Sequence, residues 1–164
     1  MIRRINRPSA RVLVVGPGDT LLLLQFRRRG DHGDPHHWLT PGGGIGPGES
    51  VAEAAARELR EETGIKVSPD ELGPVVAYSS GEWATRKAVF DAHDSYFLLR
   101  LDDMAIDTSG QEELERSLMM THRWWALDEL AATSERVIPP NAASLVRSLL
   151  VNGPPDEPIQ LPWR

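Results

Sequence analysis

The chain has 164 residues, the size of one folded domain, and its 40% apolar and 26% charged residues are ordinary for a soluble globular protein. It contains no cysteine, which excludes disulfide scaffolds, thiolate nucleophiles, cysteine zinc sites and iron–sulfur clusters. A net charge of −6 argues against broad binding to nucleic acid, and no apolar run approaches the roughly 18–20 residues that span a bilayer, so we expect a cytoplasmic protein that binds neither nucleic acid nor membranes.

The first third of the chain predicts a strand pair, a glycine-rich loop and a helix. Residues 11–15 and 21–26 have strand composition around a Gly-Pro-Gly-Asp turn, and residues 27–37 are polar and predict a loop. Residues 41–48 are dense in glycine and proline. Residues 50–63 then give the strongest helix pattern, because Ser50 and Glu53 form a capping box and Gly64 is a good left-handed terminator.

The rest of the chain predicts mostly strands, a short helical turn over residues 127–131 and a last helix from about residue 139 to Val151. The predicted strands cover residues 65–67, 75–78, 83–90, 95–101 and 122–126. This order predicts a mixed α+β fold, an α/β/α sandwich with a mixed sheet. We expect one domain over residues 1–152, followed by a proline-rich tail over residues 153–164 that is extended and weakly ordered.

Three glutamates of the predicted helix lie on the side that should pack inward. At 100° per residue, Glu58, Glu61 and Glu62 fall beside the apolar stripe that contains Leu59, whereas Arg60 takes the solvent side. Like charges at these spacings cost about 0.2–0.5 kcal/mol per pair even when exposed. The patch therefore needs a cation, and carboxylates without Cys or His favour Mg²⁺, Mn²⁺ or Ca²⁺ over zinc. The alternative is a solvated acidic helix end paired with Arg57 and Arg60.

The glycine loop and the helix together carry a specific pattern. Five residues separate Gly43 from Glu49, and seven residues separate Glu49 from Arg57, which is followed by Glu58-Leu59, Glu61-Glu62 and Gly64-Ile65. This pattern resembles the Nudix box at all nine specified positions over 23 residues, about a seventh of the chain. The flanks, residues 38–43 and 122–130, are also similar to that family. The resemblance implies the Nudix α/β/α sandwich and hydrolysis of a nucleoside diphosphate linked to another moiety.

The resemblance also assigns roles. It implies that Glu58, Glu61 and Glu62 bind Mg²⁺ or Mn²⁺, and that Gly43, Glu49, Arg57 and Gly64 shape the loop and helix, with a salt bridge between Glu49 and Arg57. Arg57 thereby belongs with Glu58 and Glu61 to the catalytic group. A carboxylate must accept the proton of the attacking water. The candidates are Glu58 or Glu61 in the motif, or a later glutamate among Glu112, Glu113 and Glu115, which equally well form a solvated charge run.

Substrate contacts are less specific. Arg27 is a candidate for steering phosphates, and Trp38 and Trp83 are candidates for stacking on a base, with a solvated loop and packing as the alternatives. The markers typical of ADP-ribose and dinucleoside polyphosphate hydrolases are absent near residues 80–83. No single substrate class is selected, and nucleoside triphosphates, dinucleoside polyphosphates and nucleotide sugars stay open as substrates. A homodimer is also left open as the oligomeric state. A catalytically silent nucleotide-binding or ligand-sensing domain is the alternative function.

Overall fold

The computed structural model describes residues 2–27, 36–111 and 119–164, without the side chain of Met120. The strands are β1 (Arg3–Gly16), β2 (Thr20–Arg27), β3 (His36–Leu39), β4 (Gly42–Gly44), β5 (Ala77–Ala84), β6 (Ala88–Arg100), β7 (Met119–Ala126), β8 (Val137–Ile138) and β9 (Ile159–Gln160). The helices are α1 (Val51–Thr63), α2 (Leu127–Ala132) and α3 (Ala142–Asn152), and a 3-10 turn covers Pro69–Leu72. No helix in these described ranges is both long and apolar enough to cross a membrane.

One mixed sheet contains all of these strands. Its main path runs β8-β3-β2-β1-β6-β5-β9, with β4 paired to β1 and β7 paired to β2. The long central pair β1–β6 is parallel, whereas β1–β2, β2–β7 and β5–β6 are antiparallel. Ile138 of β8 and Trp83 of β5, from opposite sides of the strand order, line one cavity.

Helices cover both faces of the sheet, because the strand residues alternate between two cores. Val12 and Val14 pack with Ala54, Ala55 and Leu59 of α1 on one face. On the other face Leu13 and Val15 pack with α2 and α3. Burying such an aliphatic side chain contributes about 1.5–3 kcal/mol. This arrangement confirms the predicted sandwich with a mixed sheet.

Most predicted elements are present, with two corrections. Residues 65–67 form no strand, and they connect α1 to the 3-10 turn. Residues 83–90 were predicted as one strand, but they contain the end of β5, a turn and the start of β6, because Trp83 pairs with Phe90 across a hairpin. The end of β5 and the start of β6 both have the composition typical of strands, so composition alone does not reveal the turn between them.

The proline-rich tail is extended but is held against the sheet rather than weakly ordered. β9 pairs in parallel with β5, at Ala77–Ile159 and Tyr78–Gln160. Leu161 is 4% exposed and belongs to the same core as α2 and α3. The prolines prevent a helix, yet they leave the N–H groups of Ile159 and Leu161 free to bond Val76 and Tyr78.

Candidate active site

Local sequence fixes both ends of the helix that carries the glutamates. Ser50 caps α1, with its side chain accepting from the N–H of Glu53 at 3.0 Å and its own N–H bonding the Glu53 carboxylate. Gly64 ends the helix in the left-handed conformation, at φ 75°. The predicted capping box and terminator are therefore present, and they fix the helical phase of the three carboxylates.

Strand β4 lies directly against the first of these carboxylates. Gly43 pairs with Ala10 of β1, and a Cβ atom on Gly43 would lie 2.6 Å from both Cδ and Oε1 of Glu58. No side chain fits that gap without displacing the carboxylate or the strand. Glycine is therefore needed at position 43 because the backbone there approaches the Glu58 carboxylate closely, which explains why the motif has a glycine at this place.

Arg57 links the loop to the helix. Its Nε donates to Glu49 Oε2 at 2.7 Å and its Nη2 to Glu49 Oε1 at 2.9 Å, a bidentate pair. Nη2 also bonds the carbonyl of Gly44 at 3.1 Å. The Arg57 guanidinium, with the N–H of Gly46, lowers the pKa of Glu49 to about 2. The structure thus contains the salt bridge that the resemblance implies.

The same guanidinium also touches two of the three clustered glutamates. Its Nη1 lies 3.0 Å from Glu58 Oε1 and 3.4 Å from Glu61 Oε2. Glu62 points to β4 instead, where its Oε1 accepts from the N–H of Gly42 at 3.0 Å. Arg57 therefore supplies part of the positive charge that the clustered carboxylates of Glu58 and Glu61 need.

Glu58 remains incompletely compensated. Its side chain is 9% exposed, and its Oε2 is buried without a hydrogen-bond partner. Burial raises the pKa of Glu58, and the charge of Glu61 adds to this effect, while Arg57 and the neighbouring carboxyl of Glu62 oppose it. A buried oxygen in this state lacks a donor or a cation.

Glu58 and Glu62 line a cleft of about 430 Å³ that also holds Gly42–Gly44, Phe26 and Leu39, whereas Glu61 is not among the described residues of that lining. Arg7 and Arg11 of β1 lie in the same lining, and the sequence reasoning did not single them out. The pairing of β1 with β4, which sets Arg11 opposite Gly42, brings this part of β1 beside the carboxylates. Their one signal in the sequence is that they are an even number of residues apart, which places both on one face of a strand.

The other predicted site residues fall into three groups. Arg27 and Trp83 line a neighbouring cavity together with residues of the tail. The predicted role of Trp38 in stacking on a base is wrong. Its side chain lies in the core, where it is 5% exposed and packs edge-on against Trp125 with 5.2 Å between ring centroids, so it presents no surface for a base. Glu112, Glu113 and Glu115 lie outside the described residues.

The donors present suit a hard divalent cation, but the side chains are not assembled around one. Within the described ranges, no group of three or more acidic or histidine side chains is arranged to hold a metal ion. Nη1 of Arg57 contacts both Oε1 of Glu58 and Oε2 of Glu61. The unpartnered Oε2 of Glu58 and the all-oxygen donor set fit Mg²⁺ or Mn²⁺.

Comparison with known proteins gives two kinds of similarity. Among curated proteins, an RNA pyrophosphohydrolase of Caulobacter vibrioides is 28% identical over 144 residues, covering 82% of this chain and 78% of its own. The uncharacterized Nudix hydrolase YvcI of Bacillus subtilis is 42% identical over 65 residues, 40% of this chain, and that match spans only 37% of YvcI. Among solved structures, a C. elegans Ap4A hydrolase binary complex superposes with a TM-score of 0.59 at 19% identity, covering 88% of this chain and 98% of that one.

The family assignment rests on the whole domain rather than on the short motif. The model of the NUDIX domain family matches residues 5–147, which reach from β1 into α3. The solved relative has the same fold, and the two faces of the sheet are covered as that fold requires. The chain therefore belongs to the NUDIX family, as the glycine loop and glutamate helix predicted.

Proposed function

We propose that this protein is a metal-dependent pyrophosphohydrolase that cleaves a nucleoside diphosphate linked to another moiety, by attack of water at phosphorus. The observation that carries the proposal is the carboxylate wall of the cleft, where Glu58 and Glu62 are buried against β4 and Oε2 of Glu58 has no hydrogen-bond partner. The names of the relatives, RNA pyrophosphohydrolase and Ap4A hydrolase, support an enzyme of this class.

In this proposal Glu58, Glu61 and Glu62 hold Mg²⁺ or Mn²⁺. When bound there, the ion would neutralise charge on the phosphoryl oxygens and lower the pKa of the attacking water. Arg57 positions Glu58 and Glu61 and ties them to the loop through Glu49. Glu58 or Glu61 accepts the proton of the attacking water, with the later glutamates as the alternative group.

The phosphates have basic partners in the same cleft. Arg7 and Arg11 line it beside the carboxylates, and Arg11 Nη1 also bonds the carbonyl oxygens of Thr40 and Gly42 at 3.2 and 3.3 Å. The backbone contacts hold Arg11 near β4 and leave its charge to act on anions. We propose that these two arginines neutralise the substrate phosphates that the carboxylates would otherwise repel.

A screen of nucleotide substrates with Mg²⁺ and Mn²⁺, read by product mass, tests the proposal. Glu61→Gln and Glu62→Gln are expected to remove turnover while preserving the fold, since the amide oxygen introduced by Glu62→Gln can still accept from the N–H of Gly42. Glu53→Gln is the matched control, because Glu53 is exposed on the same helix and Gln also completes a capping box. Unchanged rates in both site variants would refute the assignment. Hydrolysis in ¹⁸O-labelled water identifies the phosphorus attacked.

The second candidate is a catalytically silent nucleotide-binding domain. The position of Arg57 favours it, because a guanidinium between Glu58 and Glu61 compensates charge without a metal. Tight ligand binding with no turnover at any Mg²⁺ or Mn²⁺ concentration would establish it. Retention of all three carboxylates favours the enzyme, since a binding domain has no need of them.

The proposed setting follows from charge and composition. We propose a cytoplasmic enzyme acting on small nucleotides rather than on nucleic acid chains, given the net charge of −6. Because one relative is named for RNA, the screen should include a 5′-triphosphorylated oligonucleotide. The homodimer stays a prediction, which light scattering at micromolar concentration would check.

A further inference from the structure

A second cavity of about 450 Å³ is not used by the chemistry proposed above. Its described lining combines β2, β5, the approach to β8 and the C-terminal segment, through Arg27, Glu82, Trp83, Arg136, Trp163 and Arg164. The acid among these described lining residues, Glu82, forms an ion pair with Arg4. Arginines therefore outnumber acids three to one in this described lining, although the chain as a whole carries a charge of −6.

This cavity adjoins the carboxylate cleft. Arg7 lines the cleft, and its guanidinium carbon lies 5.6 Å from the centroid of the Trp83 ring, which lines the second cavity. Arg7 therefore links the cleft that holds Glu58 with the Trp83 ring of the second cavity.

Two indole rings give the cavity its aromatic character, and both are held in place. Trp83 is half-buried and stacks on Phe90, with ring centroids 3.9 Å apart and planes 10° from parallel. Trp163 covers Gly81, where a Cβ atom would lie 2.2 Å from Trp163 Cδ2. Because Gly81 and Trp83 are two residues apart on β5, the two indoles lie on the same face of that strand.

The segment that carries Trp163 is anchored on both sides. Leu161 is buried in the core, and Nη2 of Arg164 lies 3.4 Å from Oδ2 of Asp94, whose side chain is 1% exposed. The Arg164 guanidinium carbon also lies 4.7 Å from the centroid of the Trp163 ring. These contacts fix an aromatic surface and a cation next to one another.

We propose that Trp83 and Trp163 form the site for the nucleobase, and that Arg7 and Arg27 hold the phosphates between this site and Glu58. The ligand class is a nucleoside 5′-phosphate or polyphosphate, because rigid aromatic surfaces beside guanidinium groups match a base followed by phosphates. The inference rests on the proposed function and deepens it. It makes the C-terminal segment a determinant of substrate choice.

Binding of AMP without divalent metal, measured by calorimetry, tests the site directly. Stacking on an aromatic side chain is worth roughly 1–3 kcal/mol per base, so Trp83→Ala and Trp163→Ala should each weaken AMP binding by roughly 5-fold to 150-fold. Trp83→Phe should retain most of the affinity. Inorganic pyrophosphate binding should stay the same in the tryptophan variants, whereas Arg27→Ala should weaken both ligands. Arg100→Ala is the control, since Arg100 is exposed and paired with Asp19 at 3.5 Å.

The outcomes separate this inference from the proposed function. Wild-type AMP affinity in folded Trp83→Ala and Trp163→Ala proteins would overturn the base site, even if hydrolysis is found. If Trp163→Ala does not fold, Gly81→Ala replaces it, because the added methyl displaces Trp163 without removing it, and unchanged AMP binding there would overturn the site equally. Loss of AMP binding in these variants, in a protein that hydrolyses nothing in the screen, supports the site and refutes the enzyme.

Discussion

Replacing Gly43 by alanine tests whether the close approach of β4 positions Glu58. The new methyl would lie 2.6 Å from Cδ and Oε1 of Glu58, against an ordinary contact of 3.4–4 Å, so the carboxylate or the strand must move by roughly an ångström. Overpacking of this kind costs about 1–3 kcal/mol, and for a domain of this size 2 kcal/mol lowers Tm by roughly 4–8 °C. A misplacement of about 1 Å in a catalytic group costs on the order of 100-fold in rate.

The neighbouring strand residue supplies the control. A Cβ atom on Gly44 would meet nothing within 4 Å, and the carbonyl that accepts from Arg57 would be retained. Gly44→Ala should therefore leave Tm unchanged or raise it slightly through the smaller entropy of the unfolded chain. The assays are thermal unfolding and kcat/KM on the best substrate of the screen. Equal Tm and equal kcat/KM in the Gly43 and Gly44 variants would show that β4 does not position Glu58.

Three further predictions concern acid stability, the tail and the metal. The pKa of Glu49 falls from 4.5 to about 2 on folding, so its contribution to the free energy of unfolding is complete above about pH 4.5 and is lost as the pH falls towards 2. Denaturant titrations should therefore show the difference in free energy of unfolding between wild type and Glu49→Gln shrinking across that pH window. A difference that stays constant with pH would contradict this prediction. Leu161→Ala should lower the free energy of unfolding by about 2–5 kcal/mol because the side chain is 4% exposed. Gln160→Ala, at an exposed position, should change it little in the same unfolding assay. Similar losses of stability in both variants would contradict the packing of the tail against the sheet. Mg²⁺ at a hundredfold excess over its Kd should stabilise wild type by about 2.7 kcal/mol and Glu61→Gln much less, as read by Tm, and an equal shift in both would exclude Glu61 as a ligand.

The helix and its carboxylates could be predicted from the sequence because their determinants are local. Ser50, Glu53 and Gly64 set the ends of α1 within a few residues of the chain, and the helical period then places Glu58 and Glu62 inward. Both are buried. The link from Glu49 to Arg57 spans only eight residues and was implied by the resemblance.

The surroundings of the site depend on contacts between distant parts of the chain. Arg7 reaches the cleft because β1 pairs with β4 and β6, and Trp163 reaches β5 because residues 159–160 add a parallel strand to it. Prolines near that strand predict an extended, weakly ordered tail on composition alone. Trp38 illustrates the same limit, since only the packing of its ring on Trp125 shows that it belongs to the core.

The proposed chemistry depends above all on Glu58, Glu61 and Glu62 binding one or more divalent ions at the wall of the cleft. An anomalous difference map from crystals soaked in MnCl₂ would locate such ions without any assumption about the substrate. We expect a peak bonded to carboxylate oxygens of these three residues, with Nη1 of Arg57 withdrawn from Glu58 and Glu61. No peak among them, with the guanidinium still bound to both glutamates, would contradict the metal site.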